Sequence, residues 1–97
     1  MIIKLVEIFE STGRSKGAKT SYCLREVYVN SDHVVCLRED IPMKKKLEAK
    51  LLPGDLSPEQ QFTKVSLSRG HSGIDLVVVG HPGLVEEKLL KRKILRD

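Results

Sequence analysis

The chain has 97 residues, 40% of them hydrophobic and 31% charged, with a formal net charge of +4 and no tryptophan. That length supports one modest core and is too short for two, so a single domain over 1–97 is expected. No apolar run approaches the roughly 20 residues that span a bilayer, and Lys4, Glu7 and Glu10 break the opening apolar pattern, unlike a secretory leader. A cytoplasmic location follows as an expectation, and the positive charge favours anionic partners.

Ile2 to Phe9 is β-branched and apolar and reads as a strand, followed over 11–20 by a mobile loop rich in Gly, Ser and Lys. Ser21 to Val29 and Val34 to Glu39 flank "NSDH", where Asn30 and Asp32 suit a turn, so the two segments read as a tight hairpin. That pairing sets Cys36 opposite Val27 and leaves Cys23 too far along the strand for a disulfide, whose Cα atoms must come within about 7 Å. Both cysteines therefore read as reduced, buried thiols.

Residues 41–61 form a helical insertion. Asp40 is placed to cap a helix starting near Pro42, and Met43, Leu47 and Leu51 recur at i, i+4 and i+8. Further on, "SPEQ" reads as a capping box, with Ser57 the cap, Pro58 the first helical residue and Gln60 reaching back, opening a single helical turn.

Phe62 to Arg69 alternates, with Thr63, Val65, Leu67 and Arg69 on one face. Ile74 to Val79 is apolar almost throughout, as in a central strand covered on both sides, and "RGHSG" joins the two as a hairpin loop. Pro82 then starts a helix running to about Leu95. The fold class is α+β: a small antiparallel sheet of about five strands with two helices, one C-terminal.

At 100° per residue, Val85 and Leu89 lie together on the last helix while Leu90 and Ile94 fall on the opposite side. A helix apolar on two sides needs two surfaces, its own sheet and another subunit. A homo-oligomer with Val85, Leu89, Leu90 and Ile94 at the interface is expected.

For chemistry, Gly70 and Gly73 flank His71 and allow positive φ and close backbone approach, Arg69 adds a charged fork suited to phosphate, and His71, Ser68 and Ser72 add donors. Arg38 and Phe62, at strand ends, together with Thr63, complete a candidate ligand site. An arginine, a ring for a base and a glycine loop form a nucleotide site that needs no deep pocket. His33, His71 and His81 lack metal-ligand spacing, so no metal is expected. No nucleophile elbow, Cys–His pair or duplicated carboxylate motif is present, so no enzyme activity and no cofactor are expected. The basic blocks around Lys44–Lys46 and Lys88–Arg96 interleave with Glu48, Glu86 and Glu87 as solvated helix faces do.

"REVYVNSDHVVCLRED", "TKVSLSRG" and "VVVGHPGLVEEKL" together resemble the small flagellar FlbD-type proteins at Asn30, Val34, Glu39, Thr63, Gly70, Val79, Glu86 and Glu87, over roughly half the chain. That resemblance implies an assembly or protein-interaction module. In architecture alone, a small, basic, oligomeric sheet with two helices and no catalytic groups is similar to the phage Thoeris anti-defence sponge proteins. That resemblance implies sequestration of a cyclic nucleotide or cyclic ADP-ribose-type signal in a host cytoplasm, and it assigns no residue. Three readings therefore stand: a non-catalytic binder of a phosphate-containing nucleotide, an assembly module without small ligand, and a basic nucleic-acid binder using Lys44–Lys46 and the C-terminal helix.

Overall fold

The computed structural model describes residues 1–12, 20–54, 56–69 and 72–94. In chain order these form β1 (Ile2–Thr12), β2 (Thr20–Asn30), a 3-10 turn (Ser31–His33), β3 (Val34–Glu39), α1 (Ile41–Glu48), β4 (Phe62–Arg69), β5 (Ser72–Val79) and α2 (Pro82–Ile94). The five strands make one antiparallel sheet in the order β2-β1-β5-β4-β3. The α+β class, the five strands and the two helices agree with the sequence reading, and β5 takes the central place that its apolar run calls for.

The expected hairpin between β2 and β3 does not form. β2 pairs with β1 over eleven residue pairs, from Ile2 opposite Asn30 to Thr12 opposite Thr20, whereas the six residues of β3 could offer it only a short ladder. Asn30 serves a helical turn, its side chain accepting the Asp32 N–H at 3.0 Å. The long ladder also takes Ser11, Thr12 and Thr20 out of the loop expected over 11–20, and residues 13–19 lie outside the described residues. Cys23 consequently sits opposite Phe9 and Cys36 opposite Ser66, both as free, half-buried thiols.

The short link between β2 and β3 dictates the shape of the sheet. These are its two outermost strands, which a flat sheet would hold roughly 19 Å apart, four strand spacings of about 4.8 Å, and at opposite ends. Three connecting residues reach no more than about 14 Å. The sheet must therefore roll until the end of β2 crosses the β4–β5 hairpin. The packing agrees: Ile3, Leu5 and Val29 of the β1–β2 hairpin share one core with Val65, Val78 and Val85, and Val27, Leu67, Leu76 and Leu89 pack around them. α2 lies against β3 and β4 and closes this inner core through Val85.

A second core lies on the outer face, where Ile8 and Phe62 meet Met43 of α1 and Leu52 of the connector. Asp40 caps α1 as expected, accepting the Met43 N–H at 2.9 Å. The helix is shorter than its apolar spacing implies. The Leu51 N–H reaches the Lys46 carbonyl and the Lys50 N–H that of Leu47, with Lys50 at φ 61°, a left-handed C-terminal cap. The chain reverses there, so Leu51 is exposed and Leu52 takes the buried place. Ser57 caps a turn by accepting the Glu59 N–H at 3.2 Å, but Gln60 donates to the Gln61 carbonyl instead of reaching back to Ser57. Lys44 fastens this connector with its Nζ, donating to the Pro58 and Gln60 carbonyls at 3.0 and 2.9 Å.

Candidate functional site

The β4–β5 hairpin pairs in unbroken register from Phe62 opposite Val79 to Arg69 opposite Ser72. Arg69, Ser72 and Gly73, expected in a five-residue loop, are thus strand residues, and Gly70 and His71 lie outside the described residues. Gly73 has no need of a left-handed backbone. A Cβ there would meet only the Leu67 carbonyl, at 3.5 Å, an ordinary contact.

The candidate site read from the sequence does not assemble in one place. Phe62 and Arg69 stand at opposite ends of β4, about 23 Å apart at a rise of about 3.3 Å per residue. Phe62 is 0% exposed, its ring packed in the outer core, and offers no face to a base. Thr63 is equally buried, with its hydroxyl donating to the Gly80 carbonyl at 2.7 Å, so it closes the base of the hairpin and cannot take a ligand. Arg38 is exposed opposite Lys64, on the α1 side of the sheet and five residue pairs from the Arg69 end. The backbones of Arg69, Ser72 and Gly73 do come together, at the far end of the hairpin, and the Arg69 side chain lies outside the described residues.

At that end the roll leaves a groove of about 410 Å³. Val29 of β2 and Leu67, Ile74 and Leu76 of the hairpin line it, and Asn30, His33 and Ser68 supply its polar groups. β2 forms one wall because the 3-10 turn carries the chain across the hairpin, and Tyr28, 65% exposed, stands beside that wall. The 3-10 turn is itself braced: the Ser31 N–H donates to the Met1 carbonyl at 2.8 Å, and the Met1 amine donates to the Asn30 side chain at 3.2 Å. The Ser31 hydroxyl is buried without a partner among the described residues. An apolar floor with a few converging polar groups at the mouth of a rolled sheet is how small-ligand sites are commonly built. Sequence reasoning counted Ser68 among the loop donors but missed its grouping with Asn30 and His33, because the groove exists only once β2 crosses the hairpin.

Elsewhere the charged side chains are held in structural roles. Glu7 is buried on β1, opposite Val78, and accepts the Arg25 Nε–H at 2.8 Å, while the Arg25 guanidinium lies 4.0 Å from the Phe9 ring centroid. The hydrogen bond to Glu7 raises the Arg25 pKa further above its already high ordinary value. Lys46 stands 4.9 Å above the Tyr22 ring centroid, and interaction with the Tyr22 hydroxyl, then with Glu10 and Asp40, raises its pKa against slight desolvation.

On α2, two of the residues expected at a subunit interface, Val85 and Leu89, pack instead in this chain's own inner core, buried and half-buried, whereas Leu84 is 55% and Leu90 47% exposed. The two exposed leucines flank the buried pair at about 120° to either side, so Leu90 is not diametrically opposite it. The Ile94 side chain lies outside the described residues. No described helix is long and apolar enough to cross a membrane. Comparison with protein-family models, with curated proteins and with solved structures gave no match to the chain.

Proposed function

We propose that the chain is a non-catalytic binding module that captures a phosphate-containing nucleotide in the groove at the open end of the rolled sheet. The observation that carries this reading is the position of the groove: its apolar floor and its Asn30, His33 and Ser68 rim adjoin the strand ends that bear Arg69 and Ser72. A volume of about 410 Å³ suits a ligand of mononucleotide size. In this reading His33 and Tyr28 offer rings to the base, and Asn30 and Ser68 hydrogen-bond the sugar, the base edges and the phosphate. The resemblance to the sponge proteins read from the sequence implies sequestration of a signal nucleotide over its turnover.

The experiment is a thermal-shift screen against cyclic dinucleotides, cyclic ADP-ribose isomers and mononucleotides. A ligand at 100 times its dissociation constant raises stability by roughly 2.7 kcal/mol, and His33→Ala with Ser68→Ala abolishes that rise while leaving the unliganded midpoint in place. Silence across the panel rejects the reading. Silence combined with a concentration-dependent dimer in sedimentation velocity favours an assembly module instead, for which the exposed Leu84 and Leu90 of α2 are the supporting observation.

A further inference from the structure

The two edges of the sheet are guarded differently. β3 is a six-residue edge whose register with β4 breaks between Val34 and Cys36, and α2 packs against it. β2, the opposite edge, runs for eleven residues without proline or bulge and keeps one register with β1 from end to end. On an antiparallel edge, alternate residues turn both N–H and C=O away from the strand they pair with. Among the described residues, no backbone group bonds β2 on that side.

Natural sheets commonly protect a long edge with charges that repel an incoming strand. β2 carries two, Arg25 and Glu26, one on each face, and both are drawn onto β1: Arg25 Nε lies 2.8 Å from Glu7, and Glu26 lies 3.3 Å from Lys4 Nζ. The other residues of the strand are uncharged. An uninterrupted edge whose charges are already neutralised is a template for one more strand.

We propose that this added strand is β2 of a second copy of the chain, paired antiparallel about Leu24 so that the two sheets become one. Charge complementarity selects both partner and register. Centring the pair on Arg25 or Glu26 would oppose that residue to its own copy, and centring it on Cys23 would move the partner's Glu26 from Tyr22 to Thr20. Centring on Leu24 sets Tyr22 opposite the partner's Glu26, and Lys46, 4.9 Å above the Tyr22 ring centroid, meets that carboxylate on the same face. Glu10 lies across the ring on β1, two strand spacings or roughly 10 Å from the partner's Glu26, with Lys46 between them. The two copies of Arg25 become diagonal neighbours on the other face, each already bonded to its own Glu7. Pairing from Ser21 to Val27 stops short of Asn30 and His33, so the interface stands apart from what the groove holds.

Sedimentation velocity from micromolar to millimolar protein, with amide hydrogen exchange at both extremes, tests the pairing. A monomer–dimer equilibrium is expected, in which alternate amides between Ser21 and Val27 gain protection as the dimer forms. Glu26, whose side chain is 60% exposed, can be changed without disturbing a core. Glu26→Lys sets a cation beside the partner's Lys46 and raises the dissociation constant about 2- to 30-fold, the change counting twice across the twofold axis. Adding Lys46→Glu brings the constant back toward that of the parent, and Leu84→Ser with Leu90→Ser leaves the dimer intact. Exchange in the parent protein decides the matter even if a charge variant folds poorly. The proposal is overturned by a monomer at every concentration, by a dimer whose β2 amides exchange as fast as the monomer's, by loss of the dimer in the leucine variant, or by a charge exchange that restores nothing.

Discussion

The two ends of the β4–β5 hairpin are built from the same ladder yet have opposite characters. At the end where β5 runs into α2, Phe62 fills the outer core, Thr63 bonds the Gly80 carbonyl, and the Gly80 N–H returns to the Gln61 carbonyl at 2.8 Å. At the other end, Ser68 and Ile74 border an open groove. Residues that a linear reading gathers into one site thus divide into a sealed base and an accessible rim. Sequence proximity along a strand puts side chains on known faces, but the rolled sheet decides which stretch of a face is covered.

Substitutions separate the two ends most sharply at Phe62. Truncation to Ala removes a wholly buried ring from the core shared with Ile8, Met43 and Leu52 and should cost about 3–5 kcal/mol. That is a large part of the stability of an ordinary small domain. Ser68→Ala, at the groove, should stay within about 0.5 kcal/mol. Chemical denaturation of the two variants reads the difference, and comparable losses would erase the distinction between base and rim. Should Phe62→Ala fail to fold, Phe62→Leu gives the same comparison with a smaller cavity.

A sealed base also depends on one polar contact. Thr63→Val keeps the side-chain shape but leaves the buried Gly80 carbonyl without its hydroxyl donor, at a cost of about 1–3 kcal/mol. Thr63→Ser restores the donor and should recover most of that loss. If Val and Ser behave alike, volume and not hydrogen bonding holds this end together.

Much of the strand layout was legible because alternation survives in a half-buried ladder: Val65 and Leu67 face inward from β4, and the valines of β5 are covered on both sides. Asp40 and Pro42 likewise announced α1, since a capping carboxylate followed by proline leaves little else for the backbone to do. What could not be read is who pairs with whom. β2 carries the same period whether it meets β1 or β3, and eleven pairs decided against six. The buried state of Phe62 was hidden for a related reason, because its cover comes from Met43 and Leu52 in the insertion. The length of α1 was obscured by Leu51, which continues the apolar spacing after Lys50 has already reversed the chain.

A smaller effect than those at Phe62 and Thr63 lies at the outer edge of the sealed end, where α2 begins. His81 stands before Pro82 at the cap position, and its Nδ1 accepts the Gly83 N–H at 3.0 Å while its carbonyl accepts from Leu84 and Val85. The ring thereby satisfies one of the orphan N–H groups that every helix start leaves. Gly83 fits this arrangement closely, since a Cβ there would come 3.1 Å from the same nitrogen. His81→Ala removes the acceptor and should cost roughly 1 kcal/mol, by analogy with other cap deletions. His81→Asn keeps a short acceptor and should lose only a fraction of that. Because Val85 closes the inner core one turn later, the loss should appear as faster amide exchange in the first turn of α2 before it shows in the global melt. Equal exchange in the Ala and Asn variants would mean that Pro82 and the packing of Val85 hold the helix start without the imidazole.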